Sequence, residues 1–413
     1  MSTEFRPEIA GAIKFVEGGT VTTPRGFLAG ATYAGLKTYA ADKMDLGLLL
    51  SESPCSAAGV FTTSTIRSPS VTVSQEHLAQ GRVRALVVNA GIANACVGEQ
   101  GYKDAQEAAA LAAARLAVRQ EEVLVCSTGV IGVELPMSLI RAGITKINVA
   151  RDGGHLLARA MMTTDTRPKE VAVAFQVEGR QAHMGGVAKG AGMIHPNMAT
   201  MLAFVATDAA VEPRFLQAAL REVADASFNM LTVDGDTSTN DTLLVLANGL
   251  AGNRPITASS PDAGAFKEAL LQVCVHLTRE MARDGEGASR LIVVEVNGAR
   301  NTQDARRAAR TVAGSSLVKS AVYGSDPNWG RVLAALGRSG AAVDENQIDL
   351  FVNGVCIMEG GKPIPFHREA VVALMRGPEV SFRLQLNLGE GQATAWGCDL
   401  TEQYVIINSA YTT

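Results

Sequence analysis

No two of the six cysteines stand as a C-x-x-C pair: Cys55, Cys96, Cys126, Cys274, Cys356 and Cys398 are scattered along the chain. That spacing offers neither a zinc site nor a dithiol redox motif, and it points to free, mostly buried thiols. The six histidines never form H-E-x-x-H, and neither a G-x-x-x-x-G-K-[ST] phosphate loop nor a strand-borne G-x-G-x-x-G occurs. Basic charge is not in excess: 37 Lys and Arg against 41 Asp and Glu leave a net charge of -4, which gives no reason to expect a nucleic-acid partner. Long apolar runs are missing too. The longest weakly polar run, "EAAALAAARLAV", is interrupted by Arg115 and is too short to span a bilayer, so no membrane is expected. The opening "MSTEFRPEIAGAIKF" lacks the basic end, apolar centre and cleavage site of a secretory signal, and a cytoplasmic location is expected.

What is present suits a globular enzyme. The 413 residues are 47% hydrophobic and 19% charged, enough for a large core in two or three packed units. Strands and helices mix throughout. "RVRALVVNAG" reads as a strand, and "KEVAVAFQVEGRQAHMGGV" alternates at Val171, Val173, Phe175 and Val177 before breaking at Glu178-Gly179-Arg180, a hairpin pattern. "EPRFLQAALREVADAS" places Pro213 near a helix start, with Leu216, Leu220 and Val223 on one face. Phe266, Leu270, Val273, Leu277 and Met281 mark a second helix, which leaves Glu286 just past its end. "RLIVVEVNG" is another strand, "NTQDARRAARTVAG" a helix capped by Asn301 or Thr302, and the alternation from Val380 to Leu388 a further strand. The expected class is α+β, with layered sheets and helices outside.

One stretch stands apart. "KGAGMIHPNMATML", residues 189 to 202, is a glycine-rich loop that ends on a small residue and a threonine opening an apolar strand, "TMLAFVATD". This is what a self-cleaving N-terminal nucleophile needs. The hydroxyl of Thr200 must attack the preceding carbonyl carbon, and Ala199 offers no steric block. The acyl group thereby moves from the Thr200 nitrogen to its oxygen, which frees the α-amine, and hydrolysis of that ester frees the hydroxyl. The amine's ordinary pKa of roughly 7.7–8.0 suits a general base, so one residue supplies nucleophile and base. The β-branch of threonine restricts χ1 and helps hold the hydroxyl in an attacking rotamer.

Together with "VCSTGVIG", "MMTTD", "DGEGAS", "GSDPNWGR" and the terminal "NSAYTT", in this order from about Gly26 to Thr413, the stretch resembles the ornithine acetyltransferase family. These are the glutamate N-acetyltransferases of the cyclic arginine pathway. The resemblance implies a layered αββα fold of the N-terminal-nucleophile-like, DmpA type, cleaved between Ala199 and Thr200. The α chain is then 1-199 and the β chain 200-413, with a smaller strand-rich region from about 290, assembled as an α2β2 heterotetramer. It implies further that Thr200 takes acetyl from N-acetylornithine, releases ornithine and passes the acetyl group to glutamate. Thr128 and Gly129 match the family's oxyanion hole, and Thr163, Lys189, Thr200, Glu286, Asn408 and Thr413 its substrate-binding residues. A fixed cation and a fixed anion, Lys189 and Glu286, suit a substrate carrying a carboxylate and an ammonium.

Taken singly, these residues have plainer explanations: Lys189 as a solvated loop charge, Glu286 as a helix-end residue, Thr163 as a cap, Asn408 and Thr413 as frayed-terminus residues. "VDGDTSTND" gathers Asp234, Asp236 and Asp241 but lacks the glycine a calcium loop requires, so it reads as an ordered polar turn near the cleft, with no metal. Cys126 is expected in the core, and His195 either tunes the loop or stands by. No cofactor is expected, although acetyl-CoA remains open as a co-substrate. The rival functions are a related amidase or aminopeptidase in which water replaces glutamate, a secondary-metabolism paralogue, and a non-catalytic amino-acid-binding protein.

Overall fold

The computed structural model describes residues 13–37, 43–195 and 201–410. The strands in chain order begin with β1 (Lys14–Phe15), β2 (Phe27–Thr32), β3 (Leu46–Phe61), β4 (Val83–Ile92) and β5 (Val123–Val130). They continue with β6 (Lys169–Val177), β7 (Arg180–Lys189), β8 (Leu202–Thr207), β9 (Leu231–Thr232) and β10 (Thr242–Ala247). All but β9 join one nine-stranded sheet in the order β1-β6-β7-β8-β10-β3-β4-β5, with β2 paired to β3.

This sheet folds over on itself. β3 is 16 residues long, and its register with β4 breaks between Leu50 and Cys55, so its two halves serve two limbs. Leu49, Leu86 and Leu124 from one limb pack in one core with Val187, Phe204 and Leu244 from the other. Alternation exposes the outward side chains of each limb to helices. Val171, Val173 and Val245 meet α-helices at Pro213–Ala226 and Ala263–Arg283. Ala85, Val87 and Val125 meet those at Gly98–Leu116 and Met137–Lys146. Helix, sheet, sheet and helix follow one another, the αββα layering expected from the family likeness.

Local chemistry accounts for the elements. The β6–β7 hairpin turns on Glu178 and Gly179, both at positive φ (48° and 71°), which suits the right-handed strand twist. The helix from Pro213 starts where the Glu212 carboxylate accepts the Phe215 amide at 2.8 Å, and Asn301 caps the predicted helix in "NTQDARRAARTVAG" through the Asp304 amide at 2.9 Å. The alternation that runs to Leu388 outlasts its strand: the segment Glu379–Gln385 ends two residues before Asn387, which turns to φ 56°.

A second sheet of seven strands takes six from residues 291–398 and the short β9 from outside that range. Among the described residues the region from about 290 also carries five α-helices, because alanine-rich runs such as "DARRAARTVA" bury one narrow face on the sheet. The bond before Thr200 does not separate folding units. β7 and β8, which flank it, are hydrogen-bonded neighbours, with Lys189 paired to Leu202.

Candidate active site

Six of the residues singled out in the sequence, Thr128, Gly129, Thr163, Lys189, Glu286 and Asn408, line a single cleft. Met201 and Leu202 line it as well. Ala199, Thr200 and Thr413 lie outside the described residues.

The Ser127-Thr128-Gly129 segment lies at the end of β5. Gly129 adopts φ +128°, and a Cβ there would lie 2.2 Å from the carbonyl carbon of Gly91 on β4. Only glycine lets the two backbones approach so closely. Asn240 braces this corner by donating from Nδ2 to the Ser127 carbonyl at 2.8 Å and to the Ala93 carbonyl at 2.6 Å. Gly129→Ala is therefore expected to destabilise the protein by roughly 2 kcal/mol, as a strained backbone position does. A lowered melting temperature checks this, and an unchanged one would mean that β4 and β5 separate freely.

Lys189 is buried at the end of β7, and its ammonium donates to Thr128 Oγ1 at 3.1 Å. Burial pulls its pKa down, and the Asp165 carboxylate chiefly opposes that pull. Glu286 is buried across the cleft, where Asn408 donates to its Oε2 at 2.7 Å. A Cβ on Gly192 would fall 2.4 Å from the Glu286 carboxyl carbon, so this glycine of the loop makes room for the carboxylate. Asn408 is no frayed end: it sits on a helix, Glu402–Ala410, that lays its amide over the anion.

The loop is tied down by carboxylates the sequence did not single out as site residues. Asp165 accepts the Gly190 amide at 2.7 Å, the Thr163 amide at 3.0 Å and the Lys169 ammonium at 2.5 Å. Burial alone would raise its pKa, but Lys169 and Lys189 outweigh that and hold it at about 2. Lys169, itself buried, reaches Asp284 at 2.6 Å, and Asp284 accepts from the Thr166 amide and hydroxyl. One buried ammonium thus joins the "MTTD" and "DGEG" turns. Asp234 accepts the Met193 and Ile194 amides at 2.6 and 2.8 Å, so its carboxylate braces the loop. His195 pairs with Thr232 Oγ1 at 2.9 Å, and burial with nearby Arg310 lowers its pKa to about 4, leaving a neutral ring at pH 7. Cys126 is buried, and its thiol pKa is driven far upward by that burial.

Residues 28–413 match the sequence profile of the ArgJ family. The chain belongs to the ArgJ family. The arginine biosynthesis bifunctional protein ArgJ of Symbiobacterium thermophilum is 53% identical over 96% of this chain and 99% of its own length. The protein of the same name from Bacillus subtilis is 45% identical over 96% and 97%. Among solved structures, the arginine biosynthesis bifunctional protein argJ of Bacillus halodurans is 44% identical at a TM-score of 0.50 and covers 50% of this chain and 98% of its own. ArgJ membership confirms the family expected from the ordered motifs and the α+β class.

Proposed function

We propose that this chain is a glutamate N-acetyltransferase that carries acetyl from N-acetylornithine to glutamate through acetyl-Thr200, after dividing itself between Ala199 and Thr200. One observation carries the proposal. A buried cation, Lys189, and a buried anion, Glu286, line the same cleft as the Thr128-Gly129 turn, beside the strand that Thr200 precedes in sequence. An amino-acid substrate brings a carboxylate for the first and an ammonium for the second.

The chemistry is two acyl transfers. The Thr200 hydroxyl attacks the acetyl carbon while the α-amine of Thr200 takes its proton. Thr128 and Gly129 receive the oxyanion, ornithine leaves with the proton, and the amine of glutamate then attacks the ester in the same way. The solved Bacillus halodurans chain lends support to self-division. It aligns over nearly its whole length with half of this one, the size of a fragment split near residue 200.

Acetyl-CoA is proposed as a second donor, in keeping with relatives named bifunctional, and no resident cofactor or metal takes part. An α2β2 assembly and a cytoplasmic location complete the proposal. Among the described residues no helix is long and apolar enough to cross a membrane.

The test is an acetyl-transfer assay of purified protein with N-acetylornithine or acetyl-CoA as donor. N-acetylornithine alone should leave an acetyl adduct on the fragment beginning at Thr200, with stoichiometric ornithine, and glutamate should discharge it as N-acetylglutamate. Free acetate as the main product in the presence of glutamate would make the chain an amidase. Thr128→Val should lower kcat by about 10²–10³-fold, as loss of an oxyanion donor does, with little change in KM. Equal turnover would remove Thr128 from the hole.

A further inference from the structure

We infer that Lys189 is a positioning residue for the acyl-transfer chemistry itself, setting the Thr128 hydroxyl as a donor to the oxyanion, in addition to meeting a substrate carboxylate. The inference rests on the proposed roles of Thr128 and Thr200. A threonine hydroxyl has one hydrogen to give and lone pairs to receive. Among the described residues, the Lys189 ammonium is the hydrogen-bond partner of Thr128 Oγ1, at 3.1 Å, and it approaches as a donor. An ammonium cannot accept, so the hydroxyl hydrogen is left to point elsewhere, into the cleft that both side chains line. Without Lys189 the hydroxyl rotates freely.

The lysine is itself held. Its own residue pairs with Leu202 of β8, and the next amide, Gly190 N, is fixed by Asp165. Asp165 is locked by Lys169, so the backbone from which the ammonium projects is fixed, and burial of the side chain restricts its stem. An ammonium has three hydrogens, and Thr128 takes one. Among the described residues no other hydrogen bond from this ammonium is formed, which leaves donors for a substrate carboxylate in the same geometry.

The two roles separate with an acyl donor that has neither carboxylate nor ammonium. In p-nitrophenyl acetate, Thr200 Oγ forms the new bond to the acetyl carbon, the aryl ester bond breaks, p-nitrophenolate departs and the Thr200 amine takes the hydroxyl proton. Lys189→Met is expected to slow this acylation about tenfold or more, the effect of losing a hydrogen bond to a charged group, and Lys189→Arg, which keeps a donor, should recover part of it. A Lys189→Met chain acylated at the wild-type rate, with only the KM for N-acetylornithine raised, would overturn the inference and leave Lys189 as a carboxylate anchor alone. Should Lys189→Met melt normally yet fail to divide before Thr200, recovery of division in Lys189→Arg supports the inference, and failure to recover counts against it. A wild type acylated by p-nitrophenyl acetate but unable to move acetyl from N-acetylornithine to glutamate would defeat the proposed function while this comparison still reads out.

Discussion

Thr200→Ala is expected to run on a denaturing gel as one undivided chain, whereas the wild type separates into residues 1–199 and 200–413, and the variant's acetyl transfer should fall to background. The reason is chemical economy: a single side chain is nucleophile for self-cleavage and for both acyl transfers, so its loss cannot be shared out among neighbours. Thr200→Ser keeps the oxygen and should still divide, more slowly, because serine loses the rotamer restriction of the β-branch. The fold should survive the change, since the β7–β8 ladder joins the segments on either side of the bond. An uncleaved wild type with full transfer activity would end the N-terminal nucleophile mechanism. Intact transfer in Thr200→Ala would do the same.

The parts of this site that could be read from the sequence are those whose geometry is local. A glycine loop that must admit the Glu286 carboxylate, and an S-T-G turn that must press against β4, leave glycines at fixed places within a few residues of the functional side chains. The hairpin and the amphipathic helices were legible for the same reason, because their periods are set by neighbours in the chain. What escaped is bound over long distances. Lys169 looks like the polar start of an alternating strand, and its second carboxylate partner lies 115 residues away. Asn240 sits in what reads as a polar turn, yet its amide reaches carbonyls 147 and 113 residues distant. The folding of the large sheet about β3 escaped too: Pro54 marks an interruption between Leu50 and Cys55, but a proline says only that pairing breaks there and not that the two halves serve different limbs. Asp165 stood within a recognised motif, and its Thr163 and Lys169 partners lie within four residues of it, but the Gly190 amide that it also receives is 25 residues away.

That buried group yields the second large effect. Lys169→Met is expected to lower stability by about 3–5 kcal/mol, the range for removing one partner of a buried ion pair, because Asp165 and Asp284 would remain buried without the ammonium between them. The loss should depend on pH in a set direction. In the wild type the Asp165 carboxyl is held at about 2, below its ordinary value of 3.8, so its contribution is complete above the ordinary value and disappears as pH falls through 2. In the variant the nearest cation is gone and burial dominates, which raises the carboxyl pKa and makes protonation a relief. The difference in melting temperature between wild type and Lys169→Met should therefore be widest near pH 7 and shrink as the pH drops below about 4. Thermal melts at both pH values decide it. A difference of equal size at pH 7 and at pH 3 would assign the effect to lost packing of the lysine stem and take the charge of Lys169 out of the account of how the two turns are held together.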